Sequence, residues 1–576
     1  MTLRSILTGV LPLVGIIVVF FAPRLGNSLF SKVERLGVRL AEHRGLAVAS
    51  IALAAILLRL LILFWIPVPV PEVADEFSYL LAGDTFAHGR LTNPPHPMWI
   101  HFETFHELQQ PTYMSKYFPG QGAFLAFGEI LGHPWIGVLL SVALMCAAIL
   151  WALQAWLPPQ WALLGGILAV LRFAIDGYWI NSYWGGAVAA LGGALVIGAL
   201  PRILRFHRPR DAVILGLGAA LLLNSRPLEG FVFCLPVAGA LLLWLFRAKR
   251  PRTTETLRRF ALPVGAVALL CALFNGYYNW RVAGNALVVP YALHEKTYAT
   301  TTPSFQWQKE GAPLEYHNPQ LADFYGKHGW AHATWRQRRI TDFRSFVSLL
   351  HSNMDLFVSF FLYPELLLPL VLAAPWLLRD RRVRLLVGQT ILCLAGSLLV
   401  VWYLPHYSAP LTATLVALAV QGIRHLRTWQ LVGRPVGLGL SRLVVLLAVA
   451  QAPYHAFYAD LLRSLAERAQ IERRLDATPG EHLIVVRYSP NHYAPAEWVF
   501  NSADIDRAKI VWAKEIPGVD SGPLLRYFAS RQVWLLEPDI SPPRLTPYNA
   551  LADQSRISHG TLLNRPVEAA RLAVTH

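Results

Sequence analysis

The run LAVASIALAAILLRLLILFWI (residues 46–66), followed after PVPVPE by VADEFSYLLAGD (73–84), decides how this chain is read. The first stretch is long enough to cross a bilayer, which takes roughly 18 or more apolar residues. The second sets Asp75 and Glu76 side by side a few residues beyond the hydrocarbon. Two adjacent carboxylates at that depth repel each other and attract water, cations or a substrate. A helix starting here places both acids in its first turn, where its dipole favours negative charge, so a solvated helix start is the plain alternative to a catalytic pair.

Working outward, the 576 residues are 55% hydrophobic and only 15% charged, with a mean hydropathy of +0.40. A soluble domain carries about 25% charged residues. The chain therefore reads as an α-helical polytopic membrane protein. A net charge of +16 would suit nucleic acid, but the basic residues cluster in short loops between apolar segments. That is the positive-inside pattern, and it excludes nucleic acid as the partner. Cys146, Cys234, Cys271 and Cys393 all lie in apolar segments without metal-site spacing and read as small buried hydrophobes. The first apolar run, ILTGVLPLVGIIVVFFA (6–22), lacks a small-residue cleavage site and precedes a basic segment, so it reads as an extra first span.

About 12 spans are expected, near 6–22, 45–66, 133–157, 160–175, 184–200, 211–224, 230–247, 260–280, 354–378, 384–404, 408–424 and 436–453. The basic loops 23–44, 201–210, 247–259 and 379–384 then share one side, which the charge rule makes cytoplasmic. The acidic first loop 67–122, the corner 224–230, the long loop 281–344 and the turn 404–410 fall on the other side. The division expected is an extra span and basic loop over 1–44, a transmembrane domain over 45–453 and a C-terminal region over 454–576. In that last region HLIVVRY, AKIVWAK and QVWLLEP read as short buried strands and GPLLRYFAS as a helix, giving a small extracytoplasmic α/β domain. The tail beyond about 540 reads as polar and poorly ordered.

Several residues on the acidic side carry candidate chemistry. Asp75 and Glu76 suit a general base or oxygen ligands for a divalent metal ion. Lys116, before a Pro-Gly-Gln-Gly turn and a helix start, suits a phosphate, although interfacial lysines are common. Arg226 and Glu229 in the corner NSRPLEG are costly unless paired or solvated. His406 and Tyr407 in LPHYSAP sit at the outer end of a span, where histidine donates to an anion or is simply structural. Glu103 and Glu107, with His101 and His106, form a possible patch, and His88 and His96 crowd the same loop without zinc spacing. Tyr291, His294, Glu295, Asn275 and Asn279 are further polar residues facing that side.

In order along the chain, ADEFSYLLAGDTFAHGRL, SKYFPGQGAFLAFG, SRPLEG and HYSAPL resemble the motifs of the GT-C superfamily. These are integral-membrane glycosyltransferases that use polyprenyl-phosphate sugars, and the similarity is nearest to the branch of aminoarabinose transferases and protein O-mannosyltransferases. The resemblance covers roughly residues 45–425; each motif is weak alone. It implies an inner-membrane enzyme whose active site faces away from the cytoplasm. Its donor is a polyprenyl-phosphate sugar, and its acceptor is a lipid, glycan or protein hydroxyl. Carried over residue by residue, Asp75 is the catalytic carboxylate beside Glu76, and Lys116, Arg226 and His406 attend the donor phosphate. Glu103 or Glu107 is the candidate second acid, Tyr407 and Glu229 support the site, and a divalent metal is an open requirement. His406 stands where relatives often have arginine. The rival readings are a transporter or lipid flippase, which needs charged residues at the bilayer midplane and repeated, interrupted spans, and a non-catalytic envelope scaffold.

Overall fold

A computed structural model describes residues 10–175, 177–246, 253–462 and 467–548. The start of the first apolar run, the basic loop 247–252 and the tail beyond 548 lie outside the described residues. Helix α1 (Arg44–Leu61) continues through a 3-10 turn to Phe64, matching the quoted apolar run. After PVPVPE the chain re-enters a helix, α2 (Ala74–Ala87), with Asp75 and Glu76 in its first turn. A two-stranded antiparallel pair, β1 (Glu107–Leu108) and β2 (Met114–Ser115), then leads into α3 (Pro119–Ile130). The bundle continues with α4 (Pro134–Trp156), α5 (Ala187–Phe206), α6 (Pro209–Leu223), α7 (Pro227–Leu245) and α8 (Leu262–Ala283). Proline opens the first turn of several of these helices, where its missing N–H costs nothing and its fixed φ favours the helix.

Among the described residues five helices are long and apolar enough to cross a membrane: Arg44–Phe64, Pro134–Trp156, Ala187–Phe206, Pro227–Leu245 and Thr253–Ala283. A pair bent by 109°, Phe343–Phe361 with Leu366–Arg379, makes a sixth. Of the other spans expected, four correspond to apolar helices of only 10–17 residues: Leu11–Phe21, Pro159–Phe173, Arg384–Ser397 and Val436–Gln451. An apolar window in sequence runs through proline-started turns and helix ends that the backbone does not count as helix. α4 and α5 form the inner layer and bury Val142, Met145, Ile149, Ala190 and Ala194. α8 presents Leu269, Leu270 and Leu273 outward, 60–68% exposed. An apolar face left open on a long helix suits hydrocarbon rather than water.

The two ends of the bundle differ. At one end Arg44, Arg202, Arg208 and Arg210 gather, and Arg427 and Arg442 both reach Glu34. At the other end the buried Arg59 donates to the carbonyls of Ile66 and Pro67 and to Asn181 Oδ1, clasping the chain as it leaves α1 for Asp75. The long loop 281–344 is built from short helices, among them α9 (Pro290–Tyr298), and reaches the same end.

After helix α10 (Glu467–Asp476) the strands β3 (His482–Val486), β4 (Ile510–Lys514), β5 (Gln532–Glu537) and β6 (Arg544–Pro547) form one sheet in the order β4-β3-β5-β6. The first three are parallel and β6 is antiparallel to β5. The three apolar strands and the helix at Gly522–Tyr527 stand where the sequence places them. β6 corrects the expectation of disorder beyond 540: an edge strand needs backbone pairing and no apolar run of its own. One face of the sheet shares a core with the first loop, where Leu81, Phe102 and Tyr113 pack with Leu483, Val485 and Phe528. Phe77 stacks on Phe500 at 4.3 Å, and Asp84 Oδ2 accepts from the Ala503 N–H at 2.7 Å.

Candidate active site

The first turn of α2 gives its two acids different surroundings. Glu76 is 3% exposed and accepts from three backbone N–H groups: Glu72 and Val73 on Oε2, and Tyr183 on Oε1 at 2.9 Å. It closes the start of α2 and ties it to the 176–186 loop. Burial raises its pKa to about 7, against the pull of those amides. Asp75 keeps a side chain that is 23% exposed. Its Oδ1 accepts a short hydrogen bond from the Tyr117 hydroxyl, and its Oδ2 lies 3.8 Å from His106 Nε2. Burial raises the Asp75 pKa, while the Tyr117 hydrogen bond, Lys116 and Arg226 act in the opposite direction.

Lys116, 5% exposed, stands between strand β2 and helix α3. Its Nζ is 3.6 Å from Glu295 Oε1 and lies over the rings of Tyr291 (4.9 Å) and Tyr117 (5.4 Å). Burial lowers its pKa and the carboxylates of Glu295 and Asp75 restore it. The turn after it is set by Gly120: a Cβ there would come within 2.5 Å of the Asn224 carbonyl oxygen, to which the Gly120 N–H donates at 2.7 Å. That close approach joins the Lys116 turn to the corner carrying Arg226 at the N-cap of α7. The Arg226 guanidinium lies 4.4 Å over the Tyr407 ring. Glu229 and Tyr407 border a small cavity of about 30 Å³ with apolar walls including Leu228 and Val232.

His406 is 1% exposed in a 3-10 segment, Pro405–Leu411. Its Nδ1 accepts from the Tyr178 hydroxyl at 2.9 Å, and that hydroxyl in turn accepts from the His406 backbone N–H at 3.0 Å. The ring also packs against Trp184 at 4.9 Å. Burial and the nearby Arg226 hold its pKa well below the usual value, which favours the neutral ring where a cation is the expectation.

Neither Glu103 nor Glu107 has Asp75 as a partner. Glu103 accepts from Tyr298 (2.9 Å) and lies 3.1 Å from His317. Glu107 is 1% exposed, and burial with the nearby Glu497 raises its pKa well above the carboxylate range. The residue between them, His106, reaches the site instead. Its φ of +65° turns the loop there, a conformation uncommon outside glycine and one that recurs at functional positions. Tyr325 Oη is 3.1 Å from His106 Nδ1 and 3.5 Å from His294 Nε2, so a chain of polar rings runs from Asp75 to the long loop. Tyr117, Tyr325 and Tyr178 were not singled out by sequence: aromatic residues at membrane boundaries are ordinary, and only folding aims their hydroxyls. Asn275 and Asn279, flagged as outward-facing, bond within α8 and its following turn.

Among the described residues Asp75 belongs to no cluster of three metal-ligating side chains, and His106 is its nearest such neighbour at 3.8 Å. The group that does gather is Asp84, His88 and Glu129, whose ligand atoms all lie within 4.8 Å of one another. It sits nine residues along α2, about 13 Å from Asp75 at 1.5 Å per residue.

No family model and no curated protein matches the chain. Solved structures do. ArnT from Cupriavidus metallidurans bound to undecaprenyl phosphate aligns with 85% of this chain and 92% of its own, at 11% identity and TM-score 0.46. The oligosaccharyltransferase of Archaeoglobus fulgidus, in complex with Zn and sulfate, covers 85% of this chain and 67% of its own, at 12% identity and TM-score 0.44. The arabinofuranosyltransferase AftD from Mycobacteria covers 85% and 35%, at 15% identity and TM-score 0.36. These are likenesses of chain path at low identity, and the functional reading below is built from the side chains.

Proposed function

We propose that the chain is an inverting glycosyltransferase of the GT-C type. It moves a sugar from a polyprenyl-phosphate donor to an acceptor hydroxyl at the extracytoplasmic face of the inner membrane. The observation that carries this reading is the convergence of Asp75, Lys116 and Arg226 from three separate elements at one end of an apolar helix bundle. Asp75 takes the proton of the acceptor hydroxyl as that oxygen attacks the anomeric carbon. The bond from that carbon to the phosphate oxygen breaks on the opposite face, and the charge left on the lipid phosphate is met by Lys116 and Arg226. Both cations are now covered by ring faces, Tyr291 and Tyr407, so the phosphate displaces ring contacts as it enters. The lipid tail stays in hydrocarbon while the sugar reaches the polar end.

In this reading Glu76 and His406 position others: Glu76 fixes the start of α2, and neutral His406 orients Tyr178. Every step above is carried by this chain's own side chains; among the described residues the three-ligand group Asp84, His88 and Glu129 lies apart from Asp75. The sheet at 482–547, docked on the first loop, borders the acceptor side. The transporter reading gains nothing from this geometry, because the charged clusters described lie at the two ends of the helices rather than along their middles. The test is transfer from a radiolabelled polyprenyl-phosphate sugar by purified protein. Loss of transfer in Asp75→Asn with a normal elution profile and melting temperature supports the assignment; wild-type rates in that variant remove Asp75 from the reaction.

A further inference from the structure

At the end of the bundle opposite Asp75, the ends of α1, α4, α5 and α6 enclose a cavity of about 490 Å³. This falls within the range of small-molecule sites. Arg44, Arg202, Arg208 and Arg210 line it, against Asp211 as the one lining acid. Their convergence follows from the connections. Arg44 opens α1, Arg202 lies near the end of α5, and Arg208 and Arg210 flank the proline that opens α6. Gln154 donates to the Arg44 carbonyl at 3.1 Å and so fixes α4 to the start of α1.

Arg202 is held in place, donating to the carbonyls of Gly198 (2.7 Å) and Trp151 (2.8 Å), with its guanidinium 4.0 Å over the Trp151 ring. Arg44 and Arg210 act on it as like charges and Asp211 as its favourable neighbour. Among the described residues none of the four arginines forms an ion pair with a carboxylate. Four guanidinium groups around one acid, three of them exposed, set up a positive field that attracts an anion most strongly at low salt. Two helices, α1 and α6, also begin here and add the positive ends of their dipoles.

The apolar part of the wall identifies the rest of the ligand. Val48, Trp151 and Phe206 line the same cavity. Beside it α1 exposes Leu46, Leu53 and Leu57 along the length of the span, at 54–60%. A ligand seated here has a phosphate among arginines and a hydrocarbon path along α1. α1 with its 3-10 extension is 21 residues long, about 31 Å at 1.5 Å per residue, so this pocket lies about one hydrocarbon thickness from the far end of α1. We propose that the pocket binds the phosphate headgroup of an anionic phospholipid in the leaflet on the basic side of the protein. It is a second lipid site, independent of the donor site.

Native mass spectrometry of the full chain, released from nanodiscs of mixed phosphatidylglycerol and phosphatidylcholine, tests this. The wild type is expected to retain phosphatidylglycerol in preference to phosphatidylcholine. The triple variant R44Q/R208Q/R210Q alters three exposed side chains and is expected to bind phosphatidylglycerol at least about tenfold more weakly, each arginine near a membrane surface contributing about 1 kcal/mol. Equal retention of the two lipids by the wild type overturns the proposal, and so does undiminished phosphatidylglycerol in the variant. A further arm gives the protein in phosphatidylcholine alone millimolar inorganic phosphate: retained phosphate together with no preference for phosphatidylglycerol would show a site for free phosphate and end the lipid assignment, while a phosphatidylglycerol preference that persists in the presence of phosphate supports it. Should the triple variant fail to fold, R208Q alone and the wild-type lipid preference decide the matter.

Discussion

At Asp75 one carboxylate oxygen is held by Tyr117 and the other faces His106 across 3.8 Å, leaving the group oriented yet partly open. In the proposed role of base it must be ionised. Burial keeps its pKa above the usual value, so kcat/KM should fall as pH drops through that raised value. The Tyr117 hydrogen bond favours the charged form, so Tyr117→Phe should raise the pKa further and move the acid limb of a kcat/KM profile to higher pH. A limb that stays in place would show that another group controls it. Asp75→Asn should lower transfer by about 10²-fold or more without changing the melting temperature. Lys116→Gln should reduce kcat/KM for the lipid donor by roughly 10²–10³-fold, the size of effect seen when one charge-stabilising donor is removed. Glu76→Gln has one oxygen for three backbone donors. It should cost about 1–3 kcal/mol of stability and lower kcat while leaving the pH profile where it was, and a shifted profile would restore Glu76 as a titrating participant.

Among the elements, the junction between the Lys116 turn and the Arg226 corner holds the site at its tightest. Gly120→Ala would place a methyl 2.5 Å from the Asn224 oxygen, and strain of about 1–3 kcal/mol should appear as a lower melting temperature together with lost donor binding. A variant with normal donor affinity would mean that the junction does not set the Lys116–Arg226 geometry. This junction also shows what the sequence discloses. The acid pair after α1, the Lys-x-x-Pro turn and the Arg-Pro corner were readable because each breaks an apolar run at a span end. Their packing was not readable, since Gly120 meets Asn224 across about a hundred residues of chain. The pairing of Asp75 with His106 was hidden for a related reason: a left-handed residue between two acids decides which side chain points inward, and no periodicity marks it. The span count shows the converse, because hydropathy sums apolar residues whether or not the backbone holds them in one straight helix.

For the molecule as a whole, the C-terminal sheet and the membrane bundle meet over the first loop. The Lys514 ammonium, fully buried, lies 2.5 Å from Glu497 Oε2 and donates to the Glu103 carbonyl at 2.7 Å. His101 contacts the Lys514 carbonyl at 2.9 Å. Lys514→Met takes from the buried Glu497 the cation in contact with it, leaving Arg468 as the other positive group that acts on Glu497 and Glu107, and should destabilise the fold by roughly 3–5 kcal/mol, read as a fall in melting temperature and in hydrogen-exchange protection of residues 96–116. The parallel strands were legible as short apolar runs, but their docking on residues 77–113 was not, because it uses single contacts such as Phe77 on Phe500. Sidedness is open to a direct check: cysteines introduced at the exposed Glu315 and Arg208 should react with an impermeant thiol reagent from opposite sides of sealed vesicles.

The docked sheet also bears on when the protein becomes competent. Residues 482–547 leave the ribosome after every helix of the bundle, so a nascent chain already holds Asp75, Lys116 and Arg226 while the loop around them still lacks its roof. The strands that cover the first loop therefore reach it only after the helices around that loop have been made.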